Sequence, residues 1–355
     1  MVVHQKSTVR KKKDRGTGDA VTGKIVYIDH ELSQHKNVFL VNWNLGNRCN
    51  FRCSYCNESL NGGSSPWPEA ATVTAFADRV IDHYGADGGK KILFGFTGGE
   101  VTLYKDLIPV LQYLKTRNCH TEILSNGSPR RAFWNKITDV LDYAILSYHA
   151  EHCRPDHFYS VVDAIRGETN VHVNIMMNRE RFDVCRELGE SILRLSSGIS
   201  LSFQPLLERL DADAKLIPYT PDQLETIRTL NDNRGLYYTG DNRYRGRMLN
   251  YTADGDSFIM EPEQYVTEKR NHWKGWLCWT GVEQIVVSQK GEVFRAWCMQ
   301  EKIGDIGGTV AFPTKPVLCT KPSCHCNIDM LVKKQRPLYL TCDNIGALLR
   351  MGIVS

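Results

Sequence analysis

Phe39-Leu40-Val41-Asn42-Trp43-Asn44 runs through Leu45-Gly46-Asn47-Arg48 into Cys49-Asn50-Phe51-Arg52-Cys53-Ser54-Tyr55-Cys56. The first six residues form an apolar, strand-like run. The cysteines behind it are separated by three residues and then by two. Thiolates bind soft metals and iron–sulfur clusters. A closed structural site normally takes four protein ligands. Three cysteines on an iron–sulfur cube leave one iron without a protein ligand, and an open iron is a place for chemistry.

Working outward, strand-like runs recur at Lys91-Ile92-Leu93-Phe94-Gly95-Phe96, Thr121-Glu122-Ile123-Leu124, Tyr143-Ala144-Ile145-Leu146, 171–176 and 199–203. A helix is expected over 69–84, and Leu107, Val110, Leu111 and Leu114 share one helical face. Six strands from Phe39 on, alternating with helices, specify a parallel α/β sheet. Gly23 to Ile28 reads as one more short strand. In such sheets reactive groups gather at the C-terminal strand ends. Those ends carry, in order, the three cysteines, Thr97-Gly98-Gly99-Glu100, Ser125-Asn126-Gly127, Ser147-Tyr148-His149, Asn174 to Asn178, and Gln204. Loops are polar in any protein, but here six polar ends share a rim with a metal motif. Glycines at 98 and 99 let the backbone approach a ligand closely. Backbone carbonyls there, with the Glu100 carboxylate, suit an ammonium group.

Cys49, Cys53 and Cys56, with Tyr55 before the last cysteine and Gly98-Gly99-Glu100 one β–α unit later, resemble the radical S-adenosylmethionine (SAM) superfamily over about 39–205. The resemblance implies a partial (β/α)6 TIM-like barrel and a [4Fe–4S] cluster on the three cysteines. It implies SAM on the open iron, cleaved by one electron to methionine and a 5′-deoxyadenosyl radical that removes a hydrogen atom from a substrate. Carried over by position, Gly98, Gly99 and Glu100 hold the methionine amino group. Tyr55, Asn126, Ser147 and Asn174 are further SAM contacts. A one-electron reductant such as flavodoxin or ferredoxin is implied as partner. The competing reading is a zinc or electron-transfer scaffold, since zinc spacing overlaps that of the cysteines. The Gly98-Gly99-Glu100 turn and the strand pattern weigh against it.

After Pro205 the chain turns polar, with one helix expected near 221–233. Cysteines return at Cys278, Cys298, Cys319, Cys324, Cys326 and Cys342. A β-hairpin is expected over 283–296, between Cys278 and Cys298. This segment, about 270–345, resembles the SPASM/twitch extensions of radical SAM enzymes, which carry auxiliary [4Fe–4S] clusters. Two all-cysteine clusters need eight ligands, and six are present. One auxiliary cluster is therefore expected, drawn from Cys278, Cys298, Cys319, Cys324 and Cys326. A structural zinc is the alternative, and Cys342 is left spare. Cys119 and Cys185 read as buried small hydrophobes. Cys153, following His149 and His152 on the rim, is the candidate to return a hydrogen atom to a substrate radical. Trp273, Trp276 and Trp279 read as packing, with stacking on a base as the alternative. The fold expected is thus α/β: a barrel over 23–205, a linker over 206–269, a small Cys-rich β-hairpin domain over 270–345, a basic tail over 1–22 and a C-terminal tail over 346–355.

The 355 residues are 42% hydrophobic and 24% charged, ordinary for a globular protein. The net charge of +4 argues for no partner by itself. Much of it sits in the tail around Arg10-Lys11-Lys12-Lys13, a solvated segment or a contact for nucleic acid. No apolar stretch follows the basic residues and none is long enough to span a bilayer, so a cytoplasmic protein without membrane contact is expected. Twelve cysteines in a reducing compartment point to metal or redox chemistry. About 38 residues before the first barrel strand are too few for a leader-binding domain. That favours a small metabolite, amino-acid conjugate or nucleotide-linked substrate over a peptide or protein. Oxidation, epimerisation and rearrangement all remain open as outcomes.

Overall fold

The computed structural model describes residues 23–86, 88–195, 199–208, 215–233 and 245–337. The basic tail, Cys342 and the C-terminal tail lie outside these described residues.

The strands are β1 (Ile25–His30), β2 (Val38–Asn44), β3 (Lys91–Thr97), β4 (His120–Ser125), β5 (Tyr143–His149), β6 (Asn170–Met177) and β7 (Ile199–Pro205). They continue with β8 (Met248–Thr252), β9 (Ser257–Met260), β10 (Leu277–Cys278), β11 (Gln284–Val287), β12 (Glu292–Phe294), β13 (Lys302–Asp305), β14 (Val317–Leu318) and β15 (Lys334–Gln335). An open sheet runs β13-β12-β11-β2-β3-β4-β5-β6-β7. Its six successive strands β2 to β7 are parallel, as the alternating pattern predicts.

Helices cover one face. Leu107–Thr116 buries Leu107, Val110, Leu111 and Leu114, the four residues of its expected stripe. The helix expected over 69–84 is Ala70–Val80 followed by a π-helical turn, Ile81–Ala86. Pro221–Asn233 is helical as expected. Under this layer lie Phe39, Val41, Trp43, Phe94, Phe96, Ile123, Leu146 and Phe203, packed in one core. Each such side chain contributes about 1.5–3 kcal/mol on burial. The alternate residues, Asn42, Gly95, Glu122, Ser147, Asn174 and Ser202, fall on the opposite, inner face. A Cβ at Gly95 would meet Glu122 Oε1 at 3.0 Å and Asn42 Nδ2 at 3.8 Å, which places both side chains on that face. At the N-terminal strand ends the inner face turns apolar: Val38, Leu40 and Leu93 pack together, with Tyr143 and Ile328 against them.

Two expectations are corrected. β1 does not join the parallel strands; it pairs antiparallel with β8 and β15 in a second sheet, ordered β14-β10-β15-β1-β8-β9. The hairpin β11–β12 forms, but not as a separate small domain. β11 pairs in parallel with β2, Gln284 opposite Leu40, and extends the main sheet. In both cases long-range partners decided, and local pattern does not specify them.

Glu283 ties the two sheets together. Its carboxylate lies 3.1 Å from His30 Nε2 and accepts the Lys333 N–H at 3.0 Å, and its own carbonyl accepts from Leu40 N and Arg245. Burial alone would raise its pKa; His30, Arg245 and the Lys333 N–H outweigh that and hold it at about 2. A depressed carboxyl pKa means that the unfolded chain takes up the proton first as pH falls. Stability from this carboxylate is therefore full above about pH 4.5 and is lost toward pH 2. Urea melts of metal-free protein should show that acid loss. Glu283→Gln should cost about 3 kcal/mol at pH 7 and remove this part of the acid slope; an unchanged slope would assign the loss elsewhere.

Candidate active site

Beyond β2 and β3 the two chains stay paired. Leu45 N donates to Thr97 O (2.9 Å), Gly99 N to Gly46 O (2.9 Å) and Glu100 N to Arg48 O (2.8 Å). The approach is so close that a Cβ at Gly98, where φ is +146°, would lie 2.3 Å from Gly46 O. A Cβ at Gly99 would lie 2.3 Å from Arg48 O. The two glycines thus admit the backbone of the cysteine loop, a role that the sequence reading assigned to a ligand.

Glu100 is also corrected. It is fully buried, and the cavity lining includes Gly98 and Gly99 but not Glu100. Its carboxylate accepts from Thr102 N (3.1 Å), Thr102 Oγ1 (2.6 Å), Ser125 Oγ (2.7 Å) and Asn126 N (2.7 Å). Burial pushes this carboxyl upward and the four donors oppose it. Glu100 therefore locks the glycine turn to the end of β4.

The cavity holds about 340 Å³, within the usual range for a small-molecule site. Cys49, Cys53 and Cys56 line it, and so do Tyr55, Asn126 and Ser147. Asn126 reaches across to the cysteine loop, donating to Asn50 Oδ1 (2.9 Å) and lying 3.8 Å from Cys49 Sγ. Asn174 is not part of the lining. It sits on the inner face in register with Ser147, its Oδ1 held by Ser202 Oγ (2.8 Å) and His172 Nε2 (3.0 Å).

His149, read from sequence as part of a polar strand end but not as a SAM contact, lines the cavity and shares the face of Ser147 two residues earlier. Its Nδ1 lies 2.7 Å from Tyr55 Oη. Burial, then His152, push its pKa to about 4, so the ring is neutral near pH 7. Glu151 holds the loop from the same side, accepting from Ser54 N (2.8 Å) and Ser54 Oγ (2.5 Å). Arg52 N donates to His152 Nε2 (3.3 Å), and the Phe51 ring stacks on His152. Cys153 is a correction: buried in the hydrophobic core, outside the cavity lining, it has its thiol pushed up to about 11 by burial. It is not placed to return a hydrogen atom. Cys119 and Cys185 are buried in the same core, as expected.

The second cysteine group also converges. Gly275 N and Cys319 O, Cys319 N and Trp276 O, and Cys324 N and Asn271 O are hydrogen-bonded at 2.8–2.9 Å. Cys298 N donates to Asp329 Oδ2 (2.9 Å), and Cys326 precedes the helix Asn327–Met330. Cys278 and Cys319 lie within electrostatic reach of Cys298, as do Cys278 and Cys326 of Cys324. Burial pushes Cys298 to about 11 and Cys326 to about 12. Trp273 and Trp276 are buried in a second core with Tyr265 and serve packing.

The chain belongs to the radical SAM superfamily, whose family model matches residues 43–234, more than half of its length. Membership makes it an enzyme and implies a [4Fe–4S] cluster, SAM and reductive cleavage of SAM. No curated protein matches the chain. Among solved structures, Streptococcus suis SuiB is similar at TM-score 0.50 and 11% identity, covering 78% of this chain and 66% of SuiB. BtrN in an open conformation covers 76% of this chain and 75% of its own at TM-score 0.35 and 12% identity. TYW1 with a lysine–pyruvate adduct covers 56% and 74% at TM-score 0.32 and 17% identity. At these identities the likeness concerns the fold. The chain spans about two thirds of SuiB.

The residues fit the implied groups. Three thiols face one cavity, and burial pushes the Cys53 thiol up to about 12, so a bound cation is what would keep it deprotonated. No helix of the described residues is long and apolar enough to cross a membrane.

Proposed function

We propose that this enzyme acts on a small, polar molecule held on the inner face of a partial barrel, between the Cys49-Cys53-Cys56 cluster and one auxiliary [4Fe–4S] cluster in a SPASM/twitch-like segment. The observation that carries the reading is the composition of that face. Running down from the cavity, Gln204 Nε2 donates to Ser202 Oγ (2.8 Å), and Ser202 Oγ to Asn174 Oδ1 (2.8 Å). His172 Nδ1 meets Ser200 Oγ at 2.8 Å. Such a wall suits hydroxyl, amine or amide groups, as in an amino-acid conjugate or nucleoside.

Cys49, Cys53 and Cys56 would hold the cluster, which with SAM would supply the chemistry of hydrogen-atom abstraction from the substrate. The chain's own residues bind, orient and exclude water. The hydrogen bond between Tyr55 Oη and His149 Nδ1 fixes a neutral imidazole at the cavity wall. Phe51, Leu60, Met176, Leu206 and Leu207 line the cavity with apolar surface that keeps water from a reactive intermediate. Ser147 is open to SAM, whereas Asn174 serves the substrate wall. A flavodoxin or ferredoxin is the proposed reductant, and a cytoplasmic location fits that partner.

Iron–sulfur ligation is favoured over zinc by the family of the chain and by the three cysteines that line one cavity. Anaerobically reconstituted protein with SAM and dithionite should form 5′-deoxyadenosine. No product from a fully loaded cluster would overturn the reading. Deuterated small molecules should then pass label into 5′-deoxyadenosine; acceleration by peptides alone would move the substrate to that class.

A further inference from the structure

Lys334 is 2% exposed, an unusual place for an ammonium group. It lies in β15, directly opposite Cys278 of β10 on one side and Ile28 of β1 on the other. Residues opposite each other in an antiparallel pair project to the same face, with Cβ atoms about 5 Å apart. Its Nζ donates to the carbonyl oxygens of Asp329 (2.8 Å), Met330 (3.0 Å) and Val332 (3.0 Å). It also stands 4.4 Å from the centre of the Trp273 ring. All three hydrogen bonds therefore go to neutral oxygens. They satisfy the donors but bring no formal counter-charge, and a buried charge without one is costly.

Among the described residues, the groups that feel the Lys334 charge include the Asp329 carboxyl and the thiols of Cys278 and Cys324. Asp329 is itself engaged elsewhere, accepting from Gln284 Nε2 (2.8 Å), Trp297 N (3.2 Å) and Cys298 N (2.9 Å). Lys334 thus stands opposite Cys278 across one strand pair, its N–H groups on the carbonyls of the Asn327–Met330 helix end and the following turn and its cation over Trp273.

We propose that Lys334 is the built-in counter-charge of the C-terminal cysteine site, balancing an iron–sulfur cluster there and raising that cluster's reduction potential. The inference rests on the reading that these cysteines hold a cluster. Four thiolates make such a centre negative, and reduction adds one electron more. A fixed cation on the neighbouring strand stabilises the reduced form more than the oxidised form.

The test uses full-length chain carrying Cys49→Ala, Cys53→Ala and Cys56→Ala, so that only the C-terminal site can hold iron. Iron content and the midpoint potential, followed by electron paramagnetic resonance, are compared for Lys334, Lys334→Gln and Lys334→Arg. Lys334→Gln should disfavour the reduced cluster by about tenfold, 59 mV for one electron, while Lys334→Arg stays near the parent. Iron-free melts separate charge from folding. If Lys334→Gln lowers iron-free stability as much as it lowers that of the loaded protein, Lys334 is a helix-end cap and the proposal fails. Equal potentials in all three proteins also overturn it. No iron in the parent would overturn the cluster reading itself, an outcome distinct from either.

Discussion

Replacing Cys53 with alanine should reduce 5′-deoxyadenosine formation to the level of cluster-free protein. Cys53 is the most buried of the three cavity cysteines. With one thiol gone only two remain on the cavity, too few for a cube that already leaves one iron open. The loop itself should persist. Its turn is closed by Cys56 N donating to Cys53 O at 3.0 Å, a backbone bond that alanine keeps. Glu151 grips Ser54, and Asn126 grips Asn50, through groups the substitution leaves alone. The expected result is loss of the iron held by this loop, retention of iron at the C-terminal cysteines, and a melting curve of the iron-free protein close to that of the parent. Product formation at more than background would show that the cavity cysteines do not carry the reaction.

Gly99→Ala should be nearly as damaging to the same site, by a different route. The new Cβ would sit 2.3 Å from Arg48 O and 2.5 Å from Arg48 C. Both are backbone atoms, so no flexible side chain can swing away. Relief requires parting the two chains and breaking the bonds from Gly99 N to Gly46 O and from Glu100 N to Arg48 O. A cost of about 3 kcal/mol is expected. Glu100 would move with its neighbour, disturbing a buried carboxylate that holds Ser125 and Asn126. Iron at Cys49, Cys53 and Cys56 should fall while C-terminal iron stays. Gly167→Ala is the control, because nothing lies within 4 Å of its added Cβ. Equal stability and equal iron in the two variants would remove the close approach as the reason for Gly99.

Some of this was legible in the chain alone. Strand and helix periods depend on neighbours within a turn or two, and β2 to β7 lie where those periods put them. The cysteine spacing is equally local, and in the structure Cys49, Cys53 and Cys56 line one cavity. The helix stripe of Leu107, Val110, Leu111 and Leu114 is of the same kind.

Other features depend on partners far away in sequence. Glu100 reads as a ligand-facing carboxylate until Ser125 and Asn126 are brought against it. Cys153 reads as a rim thiol, but the turn after β5 directs it into the core. His149 gains its role from Tyr55, 94 residues earlier.

The sequence by itself determined the order of β2 to β7 and the helices between them, the three-thiol loop and the two groups of cysteines, because each is written in short-range spacing. Only the tertiary structure decided that β1 leaves the parallel sheet, that the C-terminal hairpin joins it beside β2, that Glu100 faces inward and that Lys334 stands opposite Cys278. Those outcomes rest on strand pairing and on the satisfaction of buried polar groups, whose partners are chosen by the packed chain as a whole.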